Sequence, residues 1–371
     1  MEKPAYSLKY PRKVFIRSGM RFLGRFLMSV LANVEIKGKE RLPAKGPIIL
    51  AGNHVAALEA VMMCIYNPGI VEFLGTGDIP FDPNYALFVK AYGLIPVNRG
   101  NLDRKGLLMG MDVLAQNGIL GIFPEGGAWD PANMQAQIGI ALLSFRSNTP
   151  ILPIGFGGVK DGLGKALRLK HPTLVMNVGK IIPPVSIKKE IINLKSNLEE
   201  SAGLILDRIN ALVPEKDLRF YQRRVNEVYS LDITITDQDH IIEIPGEFMV
   251  THGLTYARFL YSPVVMDVLA RNLRLPIRPI KQVNSENSLH PLLNAWGAIL
   301  DYLEINPGYF TYRFGMVEGL AMKKALKELL RLGEWVHQSG YALTIQPVRH
   351  YRNAETGASV TERGGCFPNS L

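Results

Sequence analysis

A histidine and a carboxylate five residues apart follow an apolar run, in Ala51-Gly52-Asn53-His54-Val55-Ala56-Ala57-Leu58-Glu59. The chemistry open to such a pair is proton transfer. The carboxylate holds one imidazole nitrogen, and the other nitrogen takes a proton from a substrate hydroxyl. The spacing sets a condition on structure. Within one continuous helix, five residues turn two side chains about 140° apart, and they cannot meet. The pair works only if His54 precedes the first helical turn and Glu59 lies inside the helix. The flanking pattern predicts that arrangement. Pro47 to Ala51 reads as a buried strand, and Leu58, Val61, Met62 and Ile65 recur at helical spacing. A strand-to-helix turn at the mouth of an α/β sheet is where open sheets place ligands. The plainer alternative is a lone histidine capping a helix, with Glu59 in water.

Three more stretches end apolar strands and can open on the same edge. Ile95-Pro96-Val97-Asn98-Arg99-Gly100 offers an arginine beside a glycine, suited to a forked grip on phosphate. Phe123-Pro124-Glu125-Gly126-Gly127 offers paired glycines whose amides can face an anion or a developing oxyanion. Ile151-Leu152-Pro153-Ile154-Gly155 is the third. Taken singly, these are a surface arginine, a tight turn and a core strand.

The elements that must position these residues alternate between strand and helix. Strands are predicted at 34–36, 47–51, 71–74, 94–97, 119–123, 151–154 and 173–178. Helices are predicted at 57–66, 85–92, 103–116, around Ile138–Phe145, and within 187–213. This alternation implies an α/β fold with a mixed, mostly parallel sheet flanked by helices. Beyond Pro214-Glu215-Lys216 the pattern changes to an α+β region. A helix is expected at Phe220–Tyr229, and a hairpin around residues 237–240. Further helices are expected at Leu254–Leu275, Leu292–Leu303 and Met316–His337. A strand is expected at Tyr341–Val348, then a frayed tail from about residue 353. Asp237, Asp239 and His240 in the hairpin read as a solvated turn. The expected domains are a basic amphipathic segment at 1–33, a catalytic domain at 34–215 and a C-terminal domain at 216–371.

The 371-residue chain carries a net charge of +9, which points to an anionic partner. Much of the basic character lies in residues 8–33. There Lys9, Arg12, Lys13, Arg17, Arg21 and Arg25 alternate with Val14, Phe15, Ile16, Phe22, Leu23, Phe26, Leu27, Val30 and Leu31, with no acidic residue among them. This is the signature of a helix lying in a membrane interface. An anionic membrane surface would add about 1 kcal/mol per basic residue. The alternative is a helix packed on the core with its arginines in water. No stretch reaches the roughly 18 apolar residues of a spanning helix, and no secretory signal is read. Cys64 and Cys366 form no disulfide framework, which fits a reducing compartment. The expected location is the cytoplasmic face of a membrane, as a peripheral or monotopic protein.

Together, Asn-His-x4-acid, Pro-Val-x-Arg-Gly, Phe-Pro-Glu-Gly and Leu-Pro-Ile resemble, in this order, the glycerolipid acyltransferase family, whose best-known members are 1-acyl-glycerol-3-phosphate acyltransferases. The resemblance covers about residues 30–185, and the N-terminal segment looks like the membrane-docking helices of bacterial members. It implies that His54 is the general base, oriented by Glu59, and that Asn53 shapes the turn. Arg99, Gly100, Glu125, Gly126 and Gly127 inherit the binding of the acceptor. The implied reaction carries an acyl group from acyl-CoA or acyl carrier protein to a lysophospholipid hydroxyl, in phospholipid biosynthesis. It needs no metal, no cofactor and no acyl-enzyme. Two departures stand out. The family has Asp where this chain has Glu59, and it usually continues Thr-Arg where this chain has Gly127-Ala128-Trp129. A different alcohol acceptor, or a non-catalytic lipid-binding protein with a degenerate site, are the alternatives these departures raise.

Other classes lack their signatures. There is no Gly-x-Ser-x-Gly, Walker-type loop, His-Glu-x-x-His or zinc-ligand spacing. Nucleic acid is not an expected partner, because the basic residues sit among bulky apolar ones rather than polar and stacking ones.

Overall fold

The computed structural model describes residues 7–76, 82–97, 103–126, 136–187, 193–218, 224–238, 240–275, 280, 283–284, 289–307, 309 and 316–364. The chain divides into two compact units. The first holds residues 1–77 and 87–222, the second residues 78–86 and 223–371.

The strands of the first unit are β1 Asn33–Lys37, β2 Ile48–Gly52, β3 Val71–Thr76, β4 Ile95–Val97, β5 Ile119–Ile122, β6 Ile151–Gly157 and β7 Thr173–Val178. Its helices are α1 Val14–Leu31, α2 Leu58–Tyr66, α3 Pro83–Tyr92, which starts in the other unit, α4 Arg104–Ala115, α5 Gly139–Ser147, α6 Gly162–Leu167 and α7 Leu194–Asn210. The sheet order is β1-β7-β6-β2-β5-β3-β4. Strands β6, β2, β5, β3 and β4 are parallel in sequence, while β7 is antiparallel to β6 and parallel to β1. The sheet is thus mixed and mostly parallel, as its sequence pattern predicts.

Strands β2, β5 and β6 are buried along their whole length. A continuous apolar run is what a strand covered on both faces requires. Leu50 packs with Met62, Met63 and Phe156 on one side. Its neighbours Ile49 and Ala51 pack with Val113, Leu143 and Ile205 on the other. Asp103 starts α4 by accepting the Gly106 amide at 3.0 Å. Because β2, β4 and β5 are parallel, their C-terminal ends lie on one edge, where the loops after them gather.

Helix α1 overturns the sequence expectation about its charges. Its aromatic side chains face outward, with Phe15 92%, Phe22 78% and Phe26 60% exposed, while Met28 joins the core and Arg17 is fully buried. The basic stripe serves the protein. The last carbonyls of a helix have no partner inside it, and α1 supplies partners to two such ends. At α3, Lys13 Nζ donates to the Lys90 and Ala91 carbonyls at 2.8 and 3.0 Å. Arg17 Nε donates to Tyr92 O at 3.0 Å, and Arg12 Nη2 to Gly93 O at 2.9 Å. At α2, Arg21 Nη2 donates to the Asn67 and Pro68 carbonyls, each at 2.8 Å, and Arg25 Nε donates to Ile65 O. Cations there also complement the helix dipoles. All five basic groups are therefore engaged with carbonyls at these helix ends, with Arg17 fully buried and Lys13 and Arg25 still exposed.

The second unit is α+β. Its antiparallel sheet pairs Arg224–Asp237 with His240–Ile242 and with Ala342–Asn353. The last of these also pairs with Val283–Asn284 and Ser359–Arg363. Its core joins the helices Gly253–Leu260, Pro263–Asn272, Leu289–Ile305 and Met316–Ser339. Buried Trp296 Nε1 donates to Tyr256 Oη at 2.8 Å. Three expectations are corrected. The segment expected as a helix up to Tyr229 is strand from Arg224 on, because Tyr229, Leu231, Ile233 and Ile235 turn inward at a period of two. Leu254–Leu275 is two helices, broken where Pro263 cannot continue the first. The tail expected to fray forms the strand Ser359–Arg363. Asp239 and Cys366 lie outside the described residues.

Candidate active site

Strand β2 ends at Gly52, where an added Cβ would stand 2.7 Å from the Phe156 ring. Only glycine fits this approach of strand to core. The next residue extends the ladder with its side chain. Asn53 Oδ1 accepts the Phe156 amide at 2.7 Å, and its Nδ2 donates to the Phe156 carbonyl at 3.2 Å. Asn53, 1% exposed, thus carries the pairing of β2 with β6 one position past the strand. It shapes the turn, and both ends of its amide are engaged with backbone.

His54 follows, before α2, and Glu59 is the second residue inside α2. This is the arrangement that the spacing demands. The imidazole Nδ1 stands 3.7 Å from Glu59 Oε2, slightly beyond hydrogen-bond length and close enough to pair with the ring when it is protonated. The other carboxylate oxygen, Oε1, accepts the Val55 and Ala56 amides at 2.7 and 2.8 Å. The extra methylene of glutamate lets one side chain cap the turn and face the histidine. The His54 amide donates to Glu125 Oε2 at 3.3 Å. Three successive amides of the turn are therefore taken by two carboxylates. The imidazole also stacks on Phe123, with centroids 4.1 Å apart and planes at 19°, and Phe123 stacks in turn on Phe73. The phenylalanine stack was not read from the sequence. Phe123 stood in a quoted motif, but ring contact is a tertiary relation.

Glu125 enters from the loop after β5. Its turn closes with the Gly126 amide on Phe123 O at 3.1 Å, and Gly126 takes φ +76°, a conformation that favours glycine. Glu125 is 3% exposed, and its Oε1 has no hydrogen-bond partner among the described residues. Burial, partly offset by the His54 amide and reinforced by the Glu59 charge, raises its pKa to about 8. The fold so brings together His54, Glu59, Asn53, Glu125 and Gly126 on one edge of the sheet. Arg99, Gly100, Gly127 and Trp129 lie outside the described residues. No group of three or more His, Cys, Asp or Glu among the described residues is placed to hold a metal.

The Glu125 carboxyl yields a test of stability. It ionises near 4.5 when unburied and near 8 in the fold. Between those values the folded protein binds the extra proton. Its contribution to stability therefore declines as pH rises, by at most about 1.4 kcal/mol per pH unit. Of the described groups, His54 and Glu59 are the titratable neighbours. Urea midpoints of Glu125→Gln should gain on wild type steadily from about pH 5 to about pH 8. Parallel pH curves for the two proteins would contradict an ionisation shifted by burial.

The arrangement can abstract a proton. With Nδ1 directed at Glu59 and the ring partly exposed, Nε2 on the opposite side can accept one. Comparison with known proteins agrees with this chemistry. A family model described as Acyltransferase matches residues 33–157, the span from β1 to the end of β6. The 1-acyl-sn-glycerol-3-phosphate acyltransferase of Bacillus subtilis (strain 168) is 21% identical over 150 residues, covering 37% of this chain and 69% of that protein. Among solved structures, the 1-acyl-sn-glycerophosphate acyltransferase of Thermotoga maritima aligns with a TM-score of 0.38 and 14% identity, over 54% of this chain and 82% of that one. The domain that begins at β1 and contains His54, Glu59 and Glu125 is thus an acyltransferase domain by its match to that family model, and it is similar to the glycerolipid acyltransferase of B. subtilis.

Proposed function

We propose that the enzyme moves a fatty acyl group from a thioester, acyl-CoA or acyl carrier protein, to the hydroxyl of a lysophospholipid, by default 1-acyl-glycerol-3-phosphate. The observation that carries this reading is the setting of His54. Its ring stands at the sheet edge against a buried carboxylate, in a turn where the His54, Val55 and Ala56 amides are bonded to carboxyl oxygens. Nε2 of His54 takes the proton of the acceptor hydroxyl. The resulting oxygen nucleophile attacks the thioester carbonyl, and a tetrahedral intermediate forms. Its collapse breaks the C–S bond, and the leaving thiolate receives the proton from the imidazolium. Glu59 stabilises the imidazolium while it exists. The B. subtilis relative, named for a phosphate-bearing acceptor, and the +9 net charge both support an anionic acceptor.

The test is direct transfer. Purified protein in lipid vesicles is given labelled acyl thioester of each kind and a panel of lysolipids with different headgroups. Product from 1-acyl-glycerol-3-phosphate ahead of the others supports the default acceptor. Preference for another lysolipid would replace it.

Action at the cytoplasmic face of a membrane belongs to the same proposal, and the exposed face of α1 supports it. Phe15, Phe22, Leu23 and Phe26 point away from the protein, and the arginines that would bind anionic headgroups are engaged elsewhere. Attachment is then apolar rather than electrostatic. No described helix is long and apolar enough to cross a membrane. Phe22→Asp with Phe26→Asp should weaken vesicle cosedimentation roughly ten-fold or more, since each large apolar side chain is worth about 1.5–3 kcal/mol on full burial. Wild-type binding to neutral phosphatidylcholine vesicles should survive high salt. Release by salt would contradict an apolar attachment.

A further inference from the structure

Two carboxyl groups, Glu59 and Glu125, share the His54 turn, and their surroundings differ. Glu59 accepts two amides and faces the imidazole. Glu125 accepts one amide, from His54 itself, and its second oxygen is buried without a partner among the described residues. Two like charges this close in a dry site are costly, so one group stays neutral. The group with fewer donors is the one that keeps its proton. Burial raising its pKa to about 8 agrees.

Acyl transfer also needs a donor for the oxygen that gains charge when the thioester carbonyl is attacked. The amides of His54, Val55 and Ala56 are occupied by the oxygens of Glu125 and Glu59, and the Gly126 amide is occupied by the Phe123 carbonyl. The acid hydroxyl of a neutral Glu125 is the donor that remains among these groups. It sits on a carboxyl bonded to the backbone of the base itself. We propose that Glu125 is a neutral acid that donates a hydrogen bond to the developing oxyanion, a catalytic role distinct from binding the acceptor. No bond to Glu125 forms or breaks. The proton remains on its carboxyl as the intermediate forms and collapses. This inference rests on the acyl-transfer reading of the site.

Glu125→Gln and Glu125→Ala separate the possibilities. Glutamine can keep its carbonyl on the His54 amide and place an N–H where the acid hydroxyl stands. It should lower kcat by no more than about ten-fold, whereas alanine should lower it by about 100- to 1,000-fold with the acceptor KM little changed. Infrared difference spectra of wild type against Glu125→Gln at neutral pH should show a protonated-carboxyl band in wild type only. Three results would each overturn the proposal: a loss in Gln as deep as in Ala, an Ala defect confined to the acceptor KM, or no protonated-carboxyl band. Circular dichroism of both variants checks that they fold. Wild type inactive with every lysolipid and both thioesters would instead sink the acyl-transfer reading, and with it the oxyanion role. The infrared band would still decide the protonation of Glu125.

Discussion

His54→Ala should lower kcat for acyl transfer by about 100- to 10,000-fold, the range a positioned general base supplies. The protein should remain folded. The ring is partly exposed and its recorded packing is the stack on Phe123, worth about 0.5–1.5 kcal/mol. The backbone amide that Glu125 accepts is untouched by the substitution. Activity and urea midpoint measured on the same preparation separate the two effects. Glu59→Gln is the informative companion. Its amide oxygen can still accept from Val55 and Ala56, so the turn keeps its shape, while the charge facing Nδ1 is gone. A smaller fall in kcat than that of His54→Ala is expected. Glu59→Ala would strip two part-buried amides of their acceptor and mix a folding defect with a chemical one. Full turnover in His54→Ala would remove the base from the mechanism.

Glu72→Gln should cost about 3–5 kcal/mol of stability, the effect of breaking a buried pair from one side. Glu72 and Arg17 are both fully buried, joined at 2.5 and 2.9 Å, and Arg12 Nη2 reaches the same carboxylate at 2.7 Å. Removing the charge leaves the Arg17 guanidinium without a counter-ion in the interior. Against a usual net stability of about 5–15 kcal/mol this is a large fraction. Arg17→Met should cost less. Arg12 still pairs with Glu72 and still donates to Gly93 O, while Tyr92 O loses its Arg17 donor. In the double variant the losses should fall well short of additive, because the second change removes the charge that the first leaves stranded. Urea midpoints of the four proteins give the cycle. Additive losses would mean that the two side chains act independently. The same network holds α1 against β3 and the end of α3, so vesicle binding should weaken in Glu72→Gln as well.

The local order of the site was legible in the residues. An apolar run, a glycine and a resumed helical pattern placed His54 before α2 and Glu59 within it, because strand and helix periods leave few alternatives. The parallel arrangement that brings the loops after β2 and β5 to one edge followed from alternating strands and helices. The antiparallel turn of β7 within the sheet did not, because the direction of one strand pair leaves no local trace. The tertiary structure decided which way each side chain would face. In α1, periodicity separates a basic stripe from an apolar one but does not say which stripe meets the protein. Unpaired carbonyls at two helix ends and buried Glu72 drew the arginines inward and left the phenylalanines outside. Spacing could pair His54 with Glu59, but not show that Glu59 also caps the turn or that Glu125 accepts the His54 amide. The first depends on which way a nearby side chain turns, and the second joins segments far apart in the chain. Burial and partners for a group such as Glu125 exist only once the sheet has assembled. The strand beginning at Arg224 was hidden for the same reason: its partner, Ala342–Asn353, arrives more than a hundred residues later, and only that pairing selects strand over helix.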